Sequence, residues 1–206
     1  PKNYNITRPD RALTIFSKMI RHSYPDSPII LGGTEASLRR FAHYDYWADK
    51  VMPSVIFDSG ADLISYGMGE HQTIEIAKRL KSGEKISDIT DVKGTCYIVD
   101  NVNGLSGIAL HSYEQEKSDK LAYAKDCKIE IEEQDYVTGK RLIQKHGDKF
   151  LVQNPPSAPL ETDELDKIYE LPYQRNYHPY YEQFGGVDAI KEVRFSITHN
   201  RGCFSA

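Results

Sequence analysis

The residue in this sequence with the clearest chemical use is Cys203, close to the C-terminal end. It follows a run in which Val193, Phe195 and Ile197 alternate with polar residues, so we predict a half-buried strand that ends at Gly202 and presents the cysteine at its tip. A thiolate in this position can share an iron–sulfur cluster with further cysteines a few residues on. Taken alone, a single cysteine near a chain end is more often an ordinary half-buried residue than a metal ligand.

The other two cysteines show no metal-binding spacing. Cys96 falls in an apolar run that predicts a strand, and Cys127 falls in a predicted helix, with neither a CxxC pair nor a suitably spaced histidine. We interpret both as core or surface thiols. Three cysteines at wide spacing fit a reducing compartment better than a disulfide framework.

Glycines follow two short apolar runs, at residues 28–31 and 62–66, and each glycine loop leads into a predicted helix. Two such turns from neighbouring parallel strands place their loops at the same edge of a sheet, where open α/β sheets bind ligands. Glu70, at the start of the second helix, could contact a ligand or simply cap the helix amides. We call these residues the glycine edge: Gly32, Gly33, Gly67, Gly69 and Glu70.

A dense group of aromatic and basic side chains occupies residues 39–47. It could be a recognition surface for an acidic or nucleotide-like group, or a helix and loop that dock onto a neighbouring domain. Docking is the favoured interpretation. We interpret His43 as a residue that satisfies a hydrogen bond rather than as a ligand or a base. The group consists of Arg39, Arg40, Phe41, His43, Tyr44, Asp45, Tyr46 and Trp47.

Helical and strand patterns alternate through the first hundred residues. Residues 10–24 predict a helix capped by Asp10, with Ala12, Leu13, Phe16, Met19 and Ile20 on one face; further helices are predicted at 36–41 and 70–80, the last with Ile74, Ala77 and Leu80 inward. Strands at 28–31, 62–66 and 94–99 complete a doubly wound parallel sheet. Because such a sheet should begin with a strand, we expect the natural chain to begin earlier.

The pattern changes between residues 108 and 154. A short strand at 108–110 precedes a long charged helix at 114–133, with Leu121, Ala124, Cys127 or Lys128 and Ile131 on its inner side. Residues 141–144 and 149–153 predict a hairpin across Gly147, which we interpret as an excursion from the sheet. Prolines at 155, 156 and 159 stiffen the exit and predict a boundary near residue 158. A helix at 161–171 and a tyrosine-rich link follow.

Composition excludes several classes of protein. The 206 residues are 39% hydrophobic, and no apolar run approaches the ~20 residues that a membrane span needs. The net charge is −4, without a basic block that could follow a phosphate backbone, so nucleic acid is an unlikely partner. Nothing at the start resembles a secretion signal, and we predict a cytoplasmic protein.

Many segments, taken in order, resemble the YgiQ-type family of radical S-adenosylmethionine (radical SAM) proteins, and the resemblance covers nearly the whole chain. The matching segments are residues 32–33, 35–47, 66–71, 151–156, 171–173, 177–179, 185–187, 189–190, 195–197 and 201–204.

The resemblance implies a specific chemistry. In that family an arginine-glycine-cysteine element opens a motif of three cysteines separated by three and then two residues, and Cys203 matches its first position. The remaining two cysteines would follow Ala206, so we expect an inactive N-terminal fragment that binds no cofactor itself. The parent is expected to hold a 4Fe-4S cluster and S-adenosylmethionine and to cleave the latter reductively to a 5'-deoxyadenosyl radical. Phe204 resembles the hydrophobic residue that shields the cluster.

The resemblance also implies partners and a domain plan. The partners are the missing C-terminal radical SAM domain, an electron donor such as flavodoxin or ferredoxin, and a substrate that the sequence does not identify. Residues 1–158 are expected to form a Rossmann-like α/β domain of the cobalamin-binding type, and 159–206 a linker and the first strand of a radical SAM barrel. The Asp-x-His-x-x-Gly element that binds cobalamin is absent, so cobalamin is not predicted. The alternative is a stand-alone ligand-binding or docking module.

Overall fold

The computed structural model describes residues 11–197, which fall into two units divided between Pro159 and Leu160. The predicted domain roles, with a Rossmann-like domain to residue 158 and a linker after it, stay predictions. In chain order the helices and strands of the first unit are α1 (Ala12–Ser23), β1 (Ile30–Leu31), α2 (Gly33–Leu38), β2 (His43–Asp45), β3 (Lys50–Met52), α3 (Val55–Ser59), β4 (Leu63–Ser65), α4 (Glu70–Lys81), β5 (Thr95–Val99), β6 (Ile108–Ala109), α5 (Tyr113–Ser118), α6 (Lys120–Glu132), β7 (Leu142–His146) and β8 (Lys149–Gln153). The second unit contains α7 (Thr162–Tyr169), a 3-10 helix (Pro179–Phe184) and α8 (Ile190–Val193).

Six strands of the first unit form one mixed sheet in the order β1-β4-β5-β8-β7-β6, which confirms the α/β class. β1 and β4 are parallel, as predicted, and so are β6 and β7. The expectation of a parallel sheet is wrong for β5, which runs antiparallel to both β4 and β8. The reason is the segment between α4 and β5, which carries the chain back to the end of β4, where Tyr66 N donates to Gly94 O at 2.9 Å. Alternating helix and strand patterns do not encode this return.

The β7–β8 hairpin lies inside the sheet, so the prediction of an excursion is wrong. β8 pairs with β5 on one side and with β7 on the other, and Leu142, Leu151 and Val152 are buried. Gly147 has a φ of 58° in the turn, a conformation that favours glycine. The hairpin itself is as predicted; its apolar residues on both faces are what allow a central position.

Apolar clusters cover both faces of the sheet. One contains Leu31, Ile64 and Cys96, and the other contains Leu63 and Ile76. Adjacent residues of β4 thus serve opposite faces, as the two-residue period of a strand requires.

The predicted helix at 114–133 is two helices that meet at Asp119, whose carboxylate accepts a hydrogen bond from Leu121 N at 2.8 Å. Its predicted inner side is also wrong, because Leu121 and Ile131 are 71% and 69% exposed, whereas Ala122 and Asp126 are buried. Because the carboxylate of Asp126 is buried, the inner face of α6 differs from the one that hydrophobic spacing predicts.

Two other helices differ in the same way. In α4 the buried residues are Gln72 and Ile76; the predicted Ile74 and Ala77 are exposed, whereas Leu80 packs half-buried against the core as predicted. In α1 the buried residues are Thr14 and Ser17, and Phe16, Met19 and Ile20 of the predicted apolar face are exposed, whereas Leu13 of that face packs half-buried against the core. The predicted cap, Asp10, lies outside the described residues.

The predicted C-terminal strand is wrong over its described part. Val193 closes α8, and Phe195 and Ile197 are almost fully exposed. The apolar residues 190, 193 and 197 have helical spacing as well as alternation, so the pattern fits both structures. Residues 198–202 of this prediction lie outside the described part of the chain.

Asn154, which the sequence placed in a stiff linker, is buried and joins three segments. Its Nδ2 donates to Thr90 O at 2.9 Å, to Val92 O at 3.0 Å and to Thr95 Oγ1 at 3.1 Å, while its Oδ1 accepts from Arg141. The side chain therefore fixes the approach to β5 against the end of β8.

We expect Asn154→Ala to lower the free energy of unfolding by about 2–4 kcal/mol, because buried carbonyl oxygens would lose their donor. Urea unfolding measures it. The matched control is Asn101→Ala, since Asn101 is exposed and accepts only a local bond from Asn103 N in the described residues. Equal, small effects for both variants would show that Asn154 does not hold these segments.

Candidate functional site

The residues predicted to meet the cluster, Cys203 and Phe204, lie outside the described part of the chain. Within residues 11–197 no group of three or more side chains is arranged to hold a metal ion. Cys96 is fully buried, which raises the pKa of its thiol to about 12, and partial burial also raises the pKa of Cys127. Neither thiol therefore favours the thiolate that a metal requires.

The structure brings the two glycine loops together. Because β1 and β4 are parallel neighbours, Gly32 and Gly33 follow β1 at the same sheet edge where Gly67 and Gly69 follow β4. Ser37 of α2 joins the loops: its hydroxyl donates to Gly33 O at 2.9 Å and accepts from Gly67 N at 3.1 Å. Glu70 occupies the first turn of α4, where a carboxylate is favoured by the helix dipole. Ligand binding at this glycine edge stays a prediction.

Ser65, the last residue of β4, lies beneath this edge and was missed by the sequence analysis. It is buried, and its hydroxyl has no hydrogen-bond partner. A Cβ built on Gly69 would lie 3.0 Å from this oxygen, so only glycine fits without displacement. Gly69 is also the N-cap residue of α4. A hydroxyl at the last strand position before a glycine loop was the signal available in the sequence.

The aromatic and basic group at 39–47 divides into an anchored and an exposed part. The buried carboxylate of Asp45 accepts hydrogen bonds from Ala48 N at 2.9 Å and from the Arg11 guanidinium, and the first of these is the main reason that its pKa is lowered. Tyr46 and Trp47, between β2 and β3, are largely exposed and meet edge to face with ring centres 5.7 Å apart. His43 contacts the Phe41 carbonyl through Nδ1 at 3.1 Å, and burial lowers its pKa.

Arg40 points into the protein rather than to a recognition surface. Its Nε donates to Gln153 Oε1 and its Nη1 to Ser37 O, both at 2.6 Å. Its guanidinium stacks over Tyr66 at 5.1 Å and lies 3.9 Å from the carboxylate of Glu130. Arg40 therefore braces Ser37, the residue that joins the two glycine loops.

Behind Arg40 lies a set of buried polar side chains, which we call the Arg40 cluster. Gln144 is fully buried; its Oε1 accepts from Ala42 N at 2.8 Å and from His146 Nε2 at 2.9 Å, and its Nε2 donates to Glu116 at 2.6 Å. His146 thus carries its proton on Nε2. The members of the cluster are Arg40, Glu116, Asp126, Glu130, Gln144, His146 and Gln153.

Burial shifts the protonation of this cluster. It raises the pKa of Glu116 to about 9, helped by the neighbouring Asp126, and raises that of Glu130 to about 7. It lowers the pKa of His146 to about 4. Asp126 accepts from His111 N at 2.7 Å and from its Nδ1 at 2.8 Å. At neutral pH Glu116 is a carboxylic acid that can donate to Asp126, so the two buried carboxyl groups are compatible.

Comparison with known proteins identifies relatives of this chain. The family model described as Radical SAM N-terminal matches residues 1–196. A UPF0313 protein of Clostridium botulinum (strain ATCC 19397 / Type A) is 50% identical over 200 residues, which cover 97% of this chain and 31% of the relative. A UPF0313 protein of Clostridium perfringens (strain ATCC 13124) is 49% identical over 205 residues, covering 98% and 31%.

The chain thus spans about a third of the length of these curated relatives. No solved structure matches it. Among the described residues, no helix is both long and apolar enough to cross a bilayer. The resemblance to cobalamin-binding domains stays a prediction.

We expect the chain to lose stability between pH 7 and 9, by about 1–2 kcal/mol, because of Glu116. Its folded pKa of about 9 lies above the ordinary value of 4.5, so the folded state holds a proton that the unfolded state releases, and stability falls as pH rises. Glu130, with a folded pKa of about 7, adds to the slope at the lower end of this window and is ionised in both states above about pH 8, whereas His146 loses its proton below the window in both states. Urea unfolding at several pH values measures the slope.

The slope near pH 8, where Glu116 is the main source, should largely disappear in Glu116→Gln, whose neutral amide can still donate to Asp126. Glu114→Gln is the matched control: Glu114 lies on the same helix, but its pKa is lowered, so it does not titrate in this window. If Glu116→Gln keeps the slope of the unsubstituted protein, the buried acid is not its source.

A separate test concerns Ser65. Because a buried hydroxyl without a partner costs free energy, we expect Ser65→Ala to leave the free energy of unfolding unchanged or to raise it by about 1 kcal/mol. Ser59→Ala is the control, since Ser59 is equally buried but its hydroxyl accepts from Ala61 N and donates to Ile56 O. It should cost about 1 kcal/mol. Equal losses in the two variants would show that Ser65 is satisfied within the fold.

Proposed function

This chain belongs to the radical SAM N-terminal family, and we propose that it is the N-terminal part of a radical SAM enzyme of the YgiQ type. The observation that carries the proposal is the family match over residues 1–196. The cysteine that resembles the first ligand of the family motif follows that match by seven positions, at Cys203. The length of the relatives supports a parent in which this chain is about one third.

The cysteines of this chain do not by themselves fit a 4Fe-4S cluster. Such a cluster needs three protein thiolates if one iron is to bind S-adenosylmethionine, and burial disfavours the thiolate of Cys96. Cys203 is therefore proposed as one ligand, with the other two supplied by the longer parent. When bound, the cluster supplies the electron that cleaves S-adenosylmethionine to a 5'-deoxyadenosyl radical. Phe204 would shield it from water, and a flavodoxin or ferredoxin would deliver the electron.

We propose that the first unit contributes a ligand contact to the parent enzyme, and that this contact lies at the glycine edge. Two features support a contact there: two parallel strands deliver their loops side by side, and the Ser65 hydroxyl lies unpartnered beneath them. Ser37 and Arg40 hold the loops in register from behind. We assign to this edge the binding of a polar group of the substrate.

The test of the enzyme proposal is iron and sulfide analysis, with the visible spectrum, of the anaerobically reconstituted full-length parent. We expect about four irons per chain and a loss of iron in Cys203→Ala. Cys127→Ala is the matched control, because Cys127 is a half-buried thiol on α6 outside the motif, and it should keep its iron.

A parent that binds no iron under these conditions would overturn the proposal. Equal iron in Cys203→Ala and Cys127→Ala would remove Cys203 from the ligand set. If the parent binds iron as expected, its cleavage of S-adenosylmethionine is measured as release of 5'-deoxyadenosine.

A further inference from the structure

Helix α1 presents its apolar side to solvent. Phe16 and Met19 are 54% and 61% exposed, and Ile15 and Ile20 are nearly half exposed, whereas the small polar residues Thr14 and Ser17 are buried. A surface helix normally does the reverse, with the apolar side inward. We call the four exposed side chains, Ile15, Phe16, Met19 and Ile20, the α1 stripe.

The orientation of α1 is fixed by specific bonds. Arg21 donates to Pro25 O at 2.7 Å and to Ser27 O at 2.9 Å, and its second nitrogen pairs with Asp62 Oδ2 at 2.7 Å. The same carboxylate oxygen accepts from Ile29 N at 2.7 Å. Leu13, one turn before Ser17, packs against the core. Rotating α1 to bury the stripe would break these contacts. They therefore keep the stripe on the outer side of the helix.

We propose that the α1 stripe is the contact surface for the remaining, catalytic part of the same radical SAM polypeptide. This rests on the proposed function, and it commits to an occupant within the parent because the chain spans only about a third of its relatives. Four side chains are too few for a stable dimer, which needs about 800 Å² per partner. A tethered domain needs less area, since its effective concentration is in the millimolar range.

The surroundings of the stripe indicate the chemistry of the surface that covers it. α1 contains no acidic residue, and the exposed Lys18 and His22 lie along it, while Arg21 is already paired with Asp62. The complementary surface is therefore an apolar helix or sheet face with carboxylates at its margin. Anionic phospholipid headgroups would also pair with Lys18, so a lipid surface is the competing occupant that vesicles test.

The experiment is hydroxyl-radical footprinting with mass spectrometry on the full-length parent. Phe16 and Met19 are compared with Leu121 and Ile131 of α6, which are more exposed in the structure and serve as the internal control. We expect oxidation of Phe16 and Met19 to be several-fold slower than their exposure predicts, at all protein concentrations, while the α6 pair reacts at the rate its exposure predicts. In Phe16→Ser/Met19→Ser, Ile15 and Ile20 should become more reactive; in Leu121→Ser/Ile131→Ser they should not.

Four results would overturn the proposal. These are full reactivity of Phe16 and Met19 in the parent, protection that grows with protein concentration and so indicates a second copy, protection only on addition of phosphatidylcholine–phosphatidylglycerol vesicles, and equal protection of the α6 pair. The outcome is independent of the iron analysis. If the stripe is protected in a parent that binds no iron, the contact surface stands and the enzyme proposal fails. If the stripe is exposed in a parent that binds iron, the enzyme proposal stands and the contact surface fails.

Discussion

The first unit depends on the pairing of the Arg40 guanidinium. A buried charge without partners costs several kcal/mol, so the side chains around it must hold their positions. Gln153 on β8, the Ser37 carbonyl on α2, Glu130 on α6 and the ring of Tyr66 all meet this one group. A central strand, two helices and the loop after β4 are therefore fixed relative to one another by a single side chain. The register of the glycine edge follows, because Ser37 also joins its two loops.

Burial keeps several titratable members of the Arg40 cluster uncharged, so that Arg40 is its one cation and it holds few carboxylate anions. Glu116 remains an acid at neutral pH and His146 remains neutral, both because they are buried. Gln144 then connects them, with its oxygen toward His146 and Ala42 and its amide toward Glu116. An amide can serve both neighbours at once because it has a donor end and an acceptor end. This arrangement gives the core one preferred packing, at the cost of a stability that falls in alkaline solution.

The parts of the fold that follow from local signals could be predicted from the sequence. The strand–glycine–helix turns at Gly33 and Gly67 and the hairpin at Gly147 need a positive φ, a backbone conformation that favours glycine, so glycine in the sequence predicts them. The direction of β5 and the central place of β8 depend on pairing between distant segments, which leaves no local pattern. The inner faces of α4 and α6 were misassigned because Gln72 and Asp126 are buried polar residues, and hydrophobic spacing treats such residues as exposed. The sequence analysis missed Ser65 as a candidate site residue for the same reason, since it is a buried polar side chain.

The error at α1 has a different cause. There the hydrophobic pattern is strong and correctly identifies an amphipathic helix, but the assumption that its apolar side faces the nearest core is wrong. Leaving a large apolar side chain in water forfeits about 1–2 kcal/mol relative to burial, so four of them represent a substantial loss for an isolated domain. Arg21 and the small residues Thr14 and Ser17 nevertheless hold the helix in this orientation. Covering the stripe would recover this free energy, and because the chain spans about one third of the length of its relatives, the proposed parent has further polypeptide that can cover it.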